Sequence, residues 1–178
     1  MSASLSGTST PRSAYHATKA TLSLRASDHE GAAMTETPRP RPAPTAAGRC
    51  LCGGVSYEVR GPLRPVLNCH CRRCRRWTGH FMAATNCRQT DLRLLSDESL
   101  SWHHPTDDPN VAYGFCSDCG GSLFWKVREG PDDQADHVSI CAGTLDLPTG
   151  LTTQGALFTP EAADYHTLDP NVEARHQE

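Results

Sequence analysis

Gly48-Arg49-Cys50-Leu51-Cys52-Gly53-Gly54-Val55-Ser56-Tyr57-Glu58-Val59 sets a pair of cysteines directly ahead of a strand. Val55, Tyr57 and Val59 alternate with Ser56 and Glu58, the period of a half-buried strand. Residues two apart on an extended chain share a face, so the sulfurs of Cys50 and Cys52 can reach one metal ion. Two thiolates do not close a four-coordinate zinc site. Cys116-Ser117-Asp118-Cys119-Gly120-Gly121 supplies the complement, a CxxC turn whose glycines let the backbone fold tightly around an ion. A closed site of Cys50, Cys52, Cys116 and Cys119 would tie the domain's beginning to its middle. Such sites are structural, and their metal contributes folding energy to a small core. The competing reading gives the two pairs different partners or leaves them as free thiols.

Beyond this stretch the chain reads as short strands separated by turns. Strand-like runs span residues 81–87, 92–95, 100–103, 111–115, 122–127, 137–141 and 155–158. Gly, Pro, Asp and Asn cluster between them, notably at 105–110 and 130–133. No helical period of useful length stands out. The pattern predicts a mainly β domain of small antiparallel sheets that need staples.

The chain has 178 residues, room for one domain with a core and some unfolded margin. Residues 1–47 are rich in Ser, Thr, Ala and Pro, and the run Pro38-Arg39-Pro40-Arg41-Pro42-Ala43-Pro44 favours an extended polyproline shape. They are read as a disordered extension, residues 48–170 as the zinc domain and 171–178 as a flexible tail. Before Asp28 the extension has no acidic residue and carries Arg12, Lys19 and Arg25, a weak likeness to a transit peptide. No amphipathic pattern supports that. A dispensable tail is preferred, or a true start at Met34.

Nine cysteines is an odd number, and most lie in CxC or CxxC clusters without a secretory signal ahead of them. Metal ligation by reduced, cytoplasmic thiols fits this better than disulfides. A net charge of −3 argues against a general nucleic-acid or anionic-membrane binder. No run approaches the roughly 20 apolar residues of a membrane helix.

A second cluster, Cys69-His70-Cys71-Arg72-Arg73-Cys74, crowds three cysteines into six residues. Three protein ligands with a fourth position for water, a carbonyl oxygen or a substrate thiolate is the pattern of a catalytic zinc. His80 could instead close the shell, whereas His70, between two ligands, would tend to point away. Arg72, Arg73, Arg75 and Arg76 would stabilise the thiolates or bind substrate carboxylates, unless they form only a solvated basic surface. Cys87 and Cys141 read as buried small residues, and Trp77, Trp102 and Trp125 as core or pocket wall.

Residues 48–55, 69–75 and 115–120, with Gly143-Thr144-Leu145-Asp146 and Pro148 further on, resemble the glutathione-dependent formaldehyde-activating enzyme family. That family includes the centromere protein V domain. The resemblance covers about residues 48–170, more loosely from Leu157 onward. It implies a zinc-stapled, Mss4-like β fold with two zinc ions per chain. One would be structural, on Cys50, Cys52, Cys116 and Cys119; the other catalytic, on Cys69, Cys71 and Cys74. The implied activity is a carbon–sulfur lyase reaction joining formaldehyde to a small-molecule thiol such as glutathione. His80 stands where the family commonly has a small residue, and the N-terminal extension has no counterpart. Two other readings are a zinc-stabilised binding module without catalysis, and a sulfoxide reductase with Cys141 as nucleophile. The latter leaves the three-cysteine cluster without a role.

Overall fold

Every expected run of alternating residues forms a strand, and three further strands join them. The computed structural model describes residues 44–176. The expectations for residues 1–43, including a start at Met34, and for residues 177–178 lie outside the described residues. Strands β1 (Ala46–Arg49), β2 (Ser56–Val59), β3 (Val66–Cys69), β4 (Met82–Arg88), β5 (Leu92–Ser96) and β6 (Leu100–His103) fill the first half. Strands β7 (Val111–Cys116), β8 (Ser122–Val127), β9 (His137–Cys141), β10 (Thr153–Leu157) and β11 (Glu173–Ala174) follow. Two short helices interrupt them, α1 (Arg72–Thr78) and α2 (Asp132–Ala135). β1 begins at Ala46, inside the stretch assigned to the extension, and β11 lies inside the stretch assigned to the tail.

The strands form two sheets, one ordered β1-β2-β5 and one of eight strands ordered β11-β10-β3-β4-β9-β8-β7-β6. Most pairs are antiparallel, as the sequence implied, but β10 runs parallel to both β3 and β11. Parallel neighbours need long crossover connections, and the chain between β3 and β10 supplies one. The large sheet is also wider than the small sheets expected.

Register gives the large sheet two distinct faces, because side chains alternate along each strand. Opposite-pair register stacks Cys87 on Val138, Thr85 on Ile140, and Ile140 on Phe124. Cys87, Val138, Ile140 and Phe124, with Leu123, pack with Val55 and with Tyr57 and Val59 of the small sheet to make the main core. Tyr57 is fully buried, meets Phe124 edge-on at 5.1 Å, and its hydroxyl shares a 2.6 Å hydrogen bond with Thr144 Oγ1. Burying a side chain of this size contributes about 2–3 kcal/mol.

The opposite face carries Leu67 and Cys69 of β3, Met82 and Ala84 of β4, Ser139 and Cys141 of β9, Trp125 of β8 and Tyr113 of β7. Helix α1 packs on this face, where the Trp77 ring meets Tyr113, Phe115 and His103. Periodicity did not reveal α1, because it is seven residues long and is defined by its ends. Cys71 caps it, its sulfur accepting from the Cys74 N–H at 3.4 Å. Gly79 ends it in the left-handed region (φ 82°), donating its N–H to Arg75 O.

Candidate metal and catalytic site

Four sulfurs, from Cys50, Cys52, Cys116 and Cys119, lie within 4.8 Å of one another. The knuckle ahead of β2 contributes two, and the turn joining β7 to β8 the others. The Cys50–Cys52 and Cys52–Cys116 sulfur separations are 3.5 and 3.7 Å. A tetrahedron with zinc–sulfur bonds of about 2.3 Å would place its sulfurs about 3.8 Å apart, so the spacing and the all-sulfur donor set fit zinc. Backbone groups complete the cradle. Val55 N–H donates to Cys50 Sγ at 3.2 Å, and Gly120, at φ 71°, turns the chain so that its N–H reaches Cys116 O. Backbone N–H groups of Cys52 and Gly121 bring the Cys119 thiol down to about 6, which favours the thiolate a metal needs.

The second set, Cys69, Cys71 and Cys74, also gathers its sulfurs within 4.8 Å. Cys69 ends β3, Cys71 caps α1 and Cys74 lies in the first turn of that helix. Hydrogen bonds from the Cys69 and Cys74 thiols hold Cys71 down to about 2, while the same contact with Cys71 pushes Cys69 up to about 12. Cys74 is raised as well, first by Cys69 and then by Cys71. The three thiols are thus coupled, with the one at the helix N-cap the most readily ionised.

Among the described residues no histidine or carboxylate joins this group. His80 packs on Phe81 at 4.3 Å, with His166 and Tyr165 on its other sides. His70 is buried and lies against Phe81 and His166, as its place between two ligands implied. Burial lowers its imidazole pKa, aided by His166, His80 and Arg75.

The three sulfurs line a cavity of about 220 Å³ on the second face of the large sheet. Its walls include Leu67, Met82, Ala84, Tyr113, Trp125 and Leu157. Burial pushes the Tyr113 phenol above its usual range, so the hydroxyl stays a proton donor. A larger, more open groove of about 480 Å³ adjoins it, lined by Arg72, Arg73, Arg76, Trp77 and His103. Arg73 and Tyr113 belong to both.

The four arginines separate on this geometry. Arg73 is engaged by Asp108 at 2.9 Å and Asp107 at 3.2 Å. Arg72 and Arg76 are exposed at the groove, with no carboxylate within ion-pair distance among the described residues. Arg75 lines neither cavity, and its Nε is buried without an acceptor among the described residues. Sequence reasoning missed Tyr113 and the matched Asp107 and Asp108. No linear motif marks them, because the sheet brings them to the cysteines from far along the chain.

Cys87 is buried in the main core and Cys141 lies partly buried against the cluster of Cys74, Met82 and Ala84. Burial drives both thiols up to about 12, with Asp91 adding to it for Cys87. Neither is poised as a thiolate nucleophile. Among the described residues no helix is long and apolar enough to cross a membrane.

A mainly β scaffold carrying two converging cysteine clusters, one lining a cavity, defines a class of cysteine-rich protein suited to zinc. Within that class, residues 45–161 match the family model of the glutathione-dependent formaldehyde-activating enzymes, and the chain belongs to that family. A solved structure of a Rhodobacter sphaeroides protein is similar at 25% identity and a TM-score of 0.47, over 60% of this chain and 97% of that one. No curated protein sequence matches the chain.

Proposed function

We propose that this chain adds a thiol to an aldehyde carbonyl, and splits the resulting adduct, at the Cys69–Cys71–Cys74 cluster. This is a carbon–sulfur lyase activity, with glutathione and formaldehyde as the reactants the family points to. In it the thiol S–H adds across C=O. A C–S bond forms, the proton ends on the former carbonyl oxygen, and nothing is oxidised.

The observation that carries the reading is the triad's composition and place. Three sulfurs converge, no other described side chain completes the set, and all three face a cavity large enough for a small organic molecule. Cys69, Cys71 and Cys74 would hold a catalytic zinc, and Cys50, Cys52, Cys116 and Cys119 a structural one. Bound at the triad, the metal would supply Lewis acidity toward a carbonyl oxygen and lower the pKa of an incoming thiol.

The chain's own groups do the rest. Tyr113 lines the cavity with its phenol held protonated, and its hydroxyl would serve as a donor for the oxygen that gains negative charge during addition. Arg72 and Arg76 carry charge at the adjoining groove that can meet the carboxylates of a peptide thiol. The cavity walls would keep thiol and carbonyl in contact. Reduced thiols suit a reducing compartment, which makes the cytoplasm the proposed setting.

Turnover of the glutathione–formaldehyde adduct by zinc-loaded protein tests this, against a Cys71→Ser variant. The wild type should exceed the uncatalysed rate and the variant should fall to it. Equal rates for both at background would refute the lyase reading.

A further inference from the structure

The cavity beside the triad is larger than formaldehyde requires. Formaldehyde has two heavy atoms, and even a water molecule takes only about 30 Å³. The cavity holds about 220 Å³. An apolar cavity of about 150 Å³ is enough to hold a benzene ring. Leu67, Met82, Ala84, Leu157 and the rings of Trp125 and Tyr113 give one wall of this cavity a similar lining, while Arg64, Arg73, Asp108 and Ser139 give it a polar side.

Its charged groups have partners within the chain. Arg73 and Asp108 satisfy each other across 2.9 Å. Arg64 donates to Pro65 O at 3.2 Å and to Ala84 O at 3.5 Å. The exposed cations lie next door, at Arg72 and Arg76. The two compartments thus differ: one has an apolar wall beside the cysteines, the other is more open and carries the exposed arginines.

We propose that the cavity takes the hydrocarbon substituent of a larger aldehyde, a ring or branched chain of about six carbons. This rests on the lyase reading of the triad and extends its substrate class. The adduct is then RCH(OH)–S–R′, with R apolar in the cavity and R′ the thiol's anionic remainder in the basic groove. The balance is that of simple addition: the thiol proton goes to the carbonyl oxygen, the C–S bond forms, and no redox partner enters. Burying R rewards the aldehyde in proportion to its apolar area, a gain formaldehyde cannot make.

The test separates binding from catalysis. Fluorobenzyl alcohol, an unreactive ring probe, is titrated into the zinc-loaded full chain and followed by fluorine NMR. Saturable binding is expected, with magnetisation transfer between the probe's ring protons and the Met82 methyl group. Ala84→Leu, which fills the cavity, should weaken it at least tenfold. The same variant should lower the ratio of benzaldehyde to formaldehyde addition to glutathione by a similar factor. No saturable binding to the wild type, or no transfer to Met82, overturns the proposal whether or not the variant folds. A folded Ala84→Leu that binds the probe normally also overturns it. A bound probe with no addition to either aldehyde supports the apolar compartment and overturns the lyase reading instead.

Discussion

Tyr113 illustrates what a single residue gains from its place. On β7 it stands between the basic groove and the sulfur-lined cavity, and burial keeps its phenol protonated. A protonated hydroxyl at a cavity wall is a hydrogen-bond donor for developing charge. Tyr113→Phe is therefore expected to lower kcat for the adduct by about 10²-fold while leaving KM within a few-fold. Its circular dichroism and zinc content should match the wild type. An unchanged kcat would remove Tyr113 from the chemistry. The cysteines themselves were legible from spacing alone: CxC, CxC-x₂-C and CxxC place sulfurs where one ion can be reached. The partner residues were not. Asp107 and Asp108 read as turn formers, and only the folded chain turns them toward Arg73.

Among the elements, β2 carries both a core face and a charged one. Tyr57 and Val59 point into the core, while Glu58, only 8% exposed, accepts from Arg60 and Arg93 on the other side. The Arg60 hydrogen bond, then its charge and Arg93, holds the carboxyl below its ordinary value of 4.5 in spite of some desolvation. A depressed folded-state pKa stabilises the fold above the unfolded value, and that contribution is lost as pH falls through the folded one. Thermal midpoints should fall as pH drops below about 4.5. Glu58→Gln should be less stable than wild type at neutral pH and lose less on acidification. Parallel pH curves for the two proteins would contradict the role given to this ion pair. The strands were readable because their alternation is local and their turns carry Gly, Pro, Asp and Asn. Helix α1 was not, since its seven residues include four arginines and its start is a cysteine cap that also belongs to the sulfur cluster. β3 was missed for a related reason. Its four residues lead into the cysteines, and its strand identity depends on pairing with β4 and β10.

At the scale of the whole molecule, the four-cysteine cluster and the triad lie on opposite faces of the same large sheet. Cys50 and Cys116 belong to the main core, which joins the small sheet to the large one. Metal bound there would add to folding stability by linkage, since the unfolded chain does not present the four sulfurs together. Cys116→Ser is accordingly expected to lower the thermal midpoint by many degrees and to broaden unfolding. Cys74→Ser should remove a zinc ion at a much smaller cost in stability. Equal destabilisation by both would erase the distinction between a staple and a reactive site. The division into two clusters followed from sequence spacing. Their placement on opposite faces did not, because it comes from strand register, which long-range pairing sets.

The central claim is that the triad grips a metal that a thiol substrate can reach. It is tested most directly by loading the full chain with cobalt and recording its sulfur-to-metal absorption as glutathione is added. The expected result is two metal ions per chain, with a glutathione-dependent change in the spectrum of one that is missing from Cys71→Ser. A single ion per chain, or two whose spectra ignore glutathione, would contradict the account.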